Sequence, residues 1–197
     1  MAILAREFYN RPALAVARDL LGCRLVRLQD GQRLSGLILE TEAYQGEDDL
    51  GCHASAGMTP RTAVMFGPPG HAYVYFTYGM HWMLNAVTGE EGVPGAVLIR
   101  AMYPIEGKEM MAENRPYNAG KRGWTDGPAK LTQALRIQRE FNTVDLCDNK
   151  SGLWIEPGDG VPDETVTRSA RIGLNSVPEP WRSIPWRFLA DGSALYG

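Results

Sequence analysis

The polar and apolar positions of residues 34–44 read as a strand, whose extended backbone puts Glu40, Glu42 and Tyr44 on one face and Leu37 and Leu39 on the other. Two carboxylates beside an aromatic ring make an odd face for a strand that only builds a core. The pattern suits either a pocket wall or a solvated outer surface. Residues 23–28 are also strand-like, and Asp30-Gly31 is a turn signal that joins the two as a hairpin. Upstream, Asn10 can cap a helix with Pro12 in its first turn, which runs to Leu20 and stops at Gly22. Residues 47–61 form a polar, glycine-bearing loop that contains His53.

Gly67-Pro68-Pro69-Gly70 then punctuates the chain before a strongly β-prone stretch, residues 72–78, which Gly79 ends. Residues 81–88 and 95–103 read as two further strands around the turn-like segment 89–92. Beyond Pro104 the pattern is helical and then loop-rich, and Asp126-Gly127-Pro128 opens a helix carrying Leu131, Leu135 and Ile137. Residues 152–156 and 165–172 are short strand candidates, while Trp181, Trp186 and Phe188 are expected to pack irregularly on the core. No internal repeat, heptad or low-complexity linker divides the chain. The expected fold is α+β: one compact domain spanning residues 1–197, with a central curved, mostly antiparallel β-sheet flanked by helices.

Composition agrees with that picture, since 197 residues with 44% apolar content can bury one sizeable core. The longest apolar runs are too short to span a bilayer and the first residues lack a signal peptide's layout, so a cytoplasmic protein without a membrane partner is expected. Cys23, Cys52 and Cys147 are odd in number and widely spaced, which indicates reduced thiols rather than a disulfide framework or a zinc cage. A net charge of −3 argues mildly against a nucleic-acid partner. The distribution is more informative, because Arg115, Lys121, Arg122, Lys130, Arg136 and Arg139 cluster between residues 115 and 139. They form either a basic face or an ordinary solvated helix and loop.

Several reaction classes lack their signatures. Gly120-Lys121 is followed by Arg122 and has no P-loop spacing, no nucleophile elbow is present, and no HExxH places paired imidazoles on a helix. His53, His71 and His81, taken singly, read as structural histidines. Next-but-one strand residues such as Glu40 and Glu42 lie about 6.5 to 7 Å apart, near the carboxylate spacing of inverting sugar hydrolases. That chemistry is one reading of the acidic face. A nucleic-acid-binding module that uses aromatics and arginines without catalysis is another.

Motifs in register across nearly the whole chain then narrow the choice. Glu40-Thr41-Glu42-Ala43-Tyr44, Thr59-Pro60-Arg61, Met65-Phe66, the run from Tyr73 to Met80, Asn85 and residues 97–101 agree in order and spacing with one family. So do residues 127–135, Arg171-Ile172-Gly173 and Trp186-Arg187-Phe188. Together they closely resemble the alkyladenine (3-methyladenine) DNA glycosylase family. The resemblance implies excision of damaged purines, of 3-methyladenine, 7-methylguanine or hypoxanthine type, from duplex DNA by hydrolysis of the N-glycosidic bond.

It also implies roles. Glu42 is the expected general base and Arg100 its partner at the attacking water or adjacent phosphate, with Tyr44, His53 and Tyr75 around the flipped base. Asn85 stands where the family rejects the amino group of guanine, and Tyr78 where it wedges into the minor groove. Glu40 is read as either a support for the pocket or a purely structural acid. Water is the nucleophile, so neither metal nor organic cofactor is expected, and the enzyme is expected to act as a monomer at DNA, nucleoid-associated in a bacterium. The mildly acidic chain has no long basic N-terminal extension, which leaves tight non-specific DNA binding in question.

Overall fold

The computed structural model describes residues 2–191. Two short helices, α1 (Arg6–Tyr9) and α2 (Ala13–Asp19), precede the hairpin of β1 (Arg24–Gln29) and β2 (Gln32–Gln45). Asp30 and Gly31 turn that hairpin, both with positive φ, as the turn signal predicts. Then come β3 (Ala72–Thr77), β4 (His81–Val87), β5 (Gly95–Glu106), α3 (Lys108–Asn114), α4 (Pro128–Ala134), β6 (Leu153–Glu156), β7 (Val166–Ser169) and β8 (Arg187–Ala190). The strands form one antiparallel sheet in the order β3-β4-β5-β2-β1-β6. β8 joins it by pairing with β2 at residues 40–42, end to end with β1, and carries β7 on its outer side.

Four expectations are corrected. Phe188, placed in an irregular tail by its proline-rich surroundings, lies in β8, and the strand expected over residues 165–172 stops at Ser169. Helix α4 ends at Ala134, so Leu135 caps it and Ile137 lies beyond. On α2, Pro12 rather than Asn10 occupies the N-cap, and no side chain caps it. The edge that β2 and β7 offer makes β8 a strand, which local pattern does not reveal.

Two irregularities in the β2–β5 pairing position the site. Ile38 pairs with Met102 and Glu40 with Ala101, leaving Leu39 as an extra residue on β2. Thr41 then pairs with Ile99, so Arg100 is an extra residue on β5, and the two bulges restore the register. Each bulge reverses which side of its strand faces the core. Before them, Ile38 and Met102 are in the core; after them, Ala43, Val97 and Ile99 are. Glu40, Glu42 and Tyr44 are thereby turned to the other side, where uninterrupted alternation from Ile38 would have driven them into the core. The sequence reading had the acidic face right and its opposite wrong: Leu37 and Leu39 are half-buried, and Thr41 and Ala43 back the carboxylates.

Helix α2 covers the core side, burying Val16, Ala17 and Leu20 against β2 and β5. Full burial of a side chain such as Leu20 contributes about 1.5–3 kcal/mol. Thr41 fits this apolar layer because its hydroxyl donates to the Ala17 carbonyl at 2.7 Å. On the opposite side a smaller cluster of Cys52, Ala54, Met65, Phe66, Tyr73, Val87 and Ala96 supports the rings of Tyr44 and Tyr75. Cys23, Cys52 and Cys147 are all free thiols. Among the described residues no helix is long and apolar enough to cross a membrane.

Candidate active site

Alternation along β3 directs Tyr73, Tyr75 and Thr77 to the face opposite Val74, and these three line a cavity of about 270 Å³. Tyr44 on β2, His53 on the loop after it, Asn85 on β4 and Arg100 on β5 complete the wall. The rings are packed as a unit: His53 meets Tyr75 edge-on with centroids 4.6 Å apart, and Tyr73 lies 5.2 Å from Tyr75. A concave cavity walled by rings and edged by polar side chains suits a flat heteroaromatic guest.

Glu42 stands directly behind that wall. Its carboxylate is 0% exposed and does not itself line the cavity, but each group that holds it does. The Tyr44 hydroxyl donates to Oε2 at 2.8 Å, the Ile172 backbone N–H donates to Oε1 at 2.7 Å, and Arg100 Nη1 lies 3.3 Å from Oε2. Burial pushes the Glu42 pKa up, and Arg100, the Ile172 amide and Tyr44 oppose that by favouring the anion. Among the described contacts Oε1 accepts one bond, which leaves it acceptor capacity for a water.

Glu40 has a different role from Glu42. Its Oε1 accepts from Arg100 Nε at 2.8 Å and from Arg187 Nε at 2.5 Å, so it bridges the bulge of β5 to β8. Burial disfavours the Arg100 charge, but Glu42 and Glu40 outweigh it and raise the pKa. Two arginines on one carboxylate oxygen do not make Glu40 the second member of a free carboxylate pair, which removes the structural basis of the paired-carboxylate sugar hydrolase. Glu40 instead borders a wider cleft of about 1150 Å³ with Lys108, Trp124 and Arg187, where no clamp of rings is formed.

His53 is half-buried and desolvation, helped by Arg61, lowers its pKa to about 4, so its ring is neutral at physiological pH. Its Nδ1 lies 2.9 Å from the Tyr73 hydroxyl and Arg61 Nη2 lies 3.5 Å from Nε2. Arg61 also sits over the Tyr75 ring, 5.0 Å from its centroid. The Asn85 side chain is buried and pinned, donating from Nδ2 to the Tyr73 carbonyl at 3.0 Å. Tyr78 occupies the tip of the β3–β4 hairpin with φ of 51° and is 77% exposed. A bulky residue in the left-handed region costs on the order of 1–3 kcal/mol, a strain that tends to be kept where it serves function.

The cavity thus gathers Tyr44, His53, Tyr75, Tyr78, Asn85 and Arg100, with Glu42 behind them. Sequence reasoning left out Tyr73, whose place the alternation of Tyr73 and Tyr75 could have given, and the contact of Ile172 with Glu42, for which the chain carries no local signal. Among the described residues no group of three His, Cys, Asp or Glu side chains is arranged to hold a metal ion.

A family model described as methylpurine-DNA glycosylase matches residues 7–194. A protein of Methanocella arvoryzae is 49% identical over 193 residues, covering 98% of this chain and 94% of its own. Relatives from Carboxydothermus hydrogenoformans and Chlorobaculum parvum are 48% and 47% identical, covering 94% and 92% of this chain and 94% and 87% of theirs. All three bear the name "Putative 3-methyladenine DNA glycosylase".

Proposed function

The chain belongs to the methylpurine-DNA glycosylase family, a hydrolase of N-glycosyl bonds, and from that membership we propose that it flips alkylated or deaminated purines out of duplex DNA and cuts them from the sugar. The substrates proposed are 3-methyladenine, 7-methylguanine and hypoxanthine. The observation that carries the reading is the buried Glu42 carboxylate, held by Tyr44, Arg100 and Ile172 at the back of a ring-lined cavity.

In this reading the flipped purine stacks among Tyr44, His53 and Tyr75. Electron-rich ring faces favour an alkylated base that carries positive charge. Asn85, pinned to the Tyr73 carbonyl, cannot swing away from a guanine amino group, and so rejects it. Tyr78 enters the space the base has left and stacks on its neighbours.

Glu42 takes a proton from a water admitted beside Ile172 as the water oxygen bonds to C1′. The C1′–N bond breaks and its electron pair leaves with the base, which departs neutral if it was cationic and, if it was neutral as hypoxanthine is, departs as an anion that takes its proton from solvent. The same carboxylate opposes the positive charge that develops on the sugar. Arg100 keeps Glu42 anionic and holds water or phosphate at the mouth. No step calls for a metal or organic cofactor.

Release of free base from a duplex with one 3-methyladenine or hypoxanthine, against an undamaged duplex, tests the reading. Base release with an alkali-labile abasic site is expected; binding without product would leave only a nucleic-acid-binding module.

A further inference from the structure

Asp49 and Arg171 form an ion pair that none of the roles above uses, and both side chains are 0% exposed. Arg171 Nη1 donates to Asp49 Oδ2 at 2.5 Å and Nη2 to Asp49 Oδ1 at 2.7 Å, a two-pronged geometry that fixes direction as well as distance. Asp49 is itself anchored, accepting from the Gly51 N–H at 2.9 Å and the Gln45 N–H at 3.3 Å. Arg171 also donates to the Ala43 carbonyl at 3.0 Å and the Trp181 carbonyl at 3.3 Å.

The guanidinium lies 4.7 Å from the Tyr44 ring and 5.1 Å from the Trp186 ring. Its next residue in the chain is Ile172, whose N–H donates to Glu42. One buried side chain therefore touches the ring that lines the cavity and anchors the amide that holds the carboxylate. Ile172 is 51% exposed and its loop has little packing of its own to keep it in place. The approach is close enough that a Cβ on Gly51 would fall 2.7 Å from Arg171 Nη2.

We propose that Arg171, held by Asp49, is a positioning residue for base excision: it seats the Ile172 amide on Glu42 and sets the Tyr44 ring against the flipped purine. The inference rests on the proposed role of Glu42. Loosening the fork displaces the amide and ring by fractions of an ångström to an ångström, and misplacement of that order costs about 10- to 100-fold in rate.

Losing the Ile172 N–H also withdraws one group that favours the Glu42 anion, so the acid limb of the pH–rate profile moves to higher pH. The other charged or titratable groups facing Glu42 are Arg100 from β5, Glu40 and Tyr44 from β2, and Tyr75 from β3. All of them remain in the variants below.

The test is single-turnover excision from a 3-methyladenine or hypoxanthine duplex by Asp49→Asn, with lesion binding, circular dichroism and the pH profile measured on the same protein. A paired Asp49→Asn and Arg171→Gln variant removes both charges, leaves neither ion alone in the interior, and decides the matter if the single variant does not fold. The expected result is a folded protein whose excision rate falls about 10- to 100-fold while its lesion affinity changes far less, with the acid limb moved up. A role confined to stability would lower the melting temperature and leave the rate per folded molecule alone. A folded variant with the wild-type rate, or with an unmoved acid limb, overturns the proposal. Glu42→Gln run alongside separates the two readings: an inactive Glu42→Gln beside a wild-type Asp49→Asn rejects only the role of Arg171, and an active Glu42→Gln rejects the role of Glu42 itself.

Discussion

A carboxylate removed from water prefers to be protonated, and Glu42, the proposed base, has three donors around it that favour its anion. Because burial raises its pKa, excision should decline on acidification at a pH above the ordinary glutamate range, as the base is protonated. His53, with a pKa of about 4, stays neutral over that interval, so a His53→Gln variant should keep the same acid limb whatever it loses in affinity. A limb that vanished with His53 would assign the titration to the imidazole. Glu42 and Tyr44 were legible in the sequence because alternation is a local property. Asp49 was not: it is one acid among several in a polar loop, and only a partner 122 residues away makes it structural. Arg61 was visible as part of a motif, but its place above the Tyr75 ring was not.

At the level of elements, the paired bulges at Leu39 and Arg100 let one strand serve the core with Ile38 and the cavity with Tyr44. Deleting Leu39 removes the compensation and drives Glu40 and Glu42 toward the apolar layer under α2, so that variant should lose its cooperative thermal transition. A stable, cooperatively melting deletion variant would show that the bulge can migrate. The hairpin tip makes the opposite kind of prediction. Tyr78 is exposed and left-handed, so Tyr78→Gly relieves about 1–2 kcal/mol of strain against a glycine entropy cost of about 0.5–1 kcal/mol, and the melting temperature should hold or rise slightly. Lesion binding and excision should nevertheless weaken, and unchanged values would reject the wedge. Hydrophobic pattern and turn chemistry located most strands and this hairpin, but β8 escaped, since its four residues carry no periodicity and owe their strand to the edge that β2 and β7 offer.

For the molecule as a whole, 20 basic against 23 acidic side chains give a net charge of −3, and the proposed duplex partner must be met by a local basic surface. Each phosphate contact contributes about −0.9 to the slope of log affinity against log salt, so non-specific affinity should be weak at physiological salt and fall steeply as salt increases. Titration of undamaged duplex across salt concentrations measures that slope, and a slope near zero would mean that no such surface is used. Charge totals pointed away from DNA, whereas the order and spacing of motifs pointed towards it, because the site rather than the net charge defines this family. The most direct test of the central claim is single-turnover release of base from a 3-methyladenine duplex by the wild-type protein and by Glu42→Gln under identical conditions. The expected result is rapid release by the wild type and, with lesion binding retained, a collapse of the rate in the variant; comparable rates in the two proteins would contradict the assignment of Glu42 as the base.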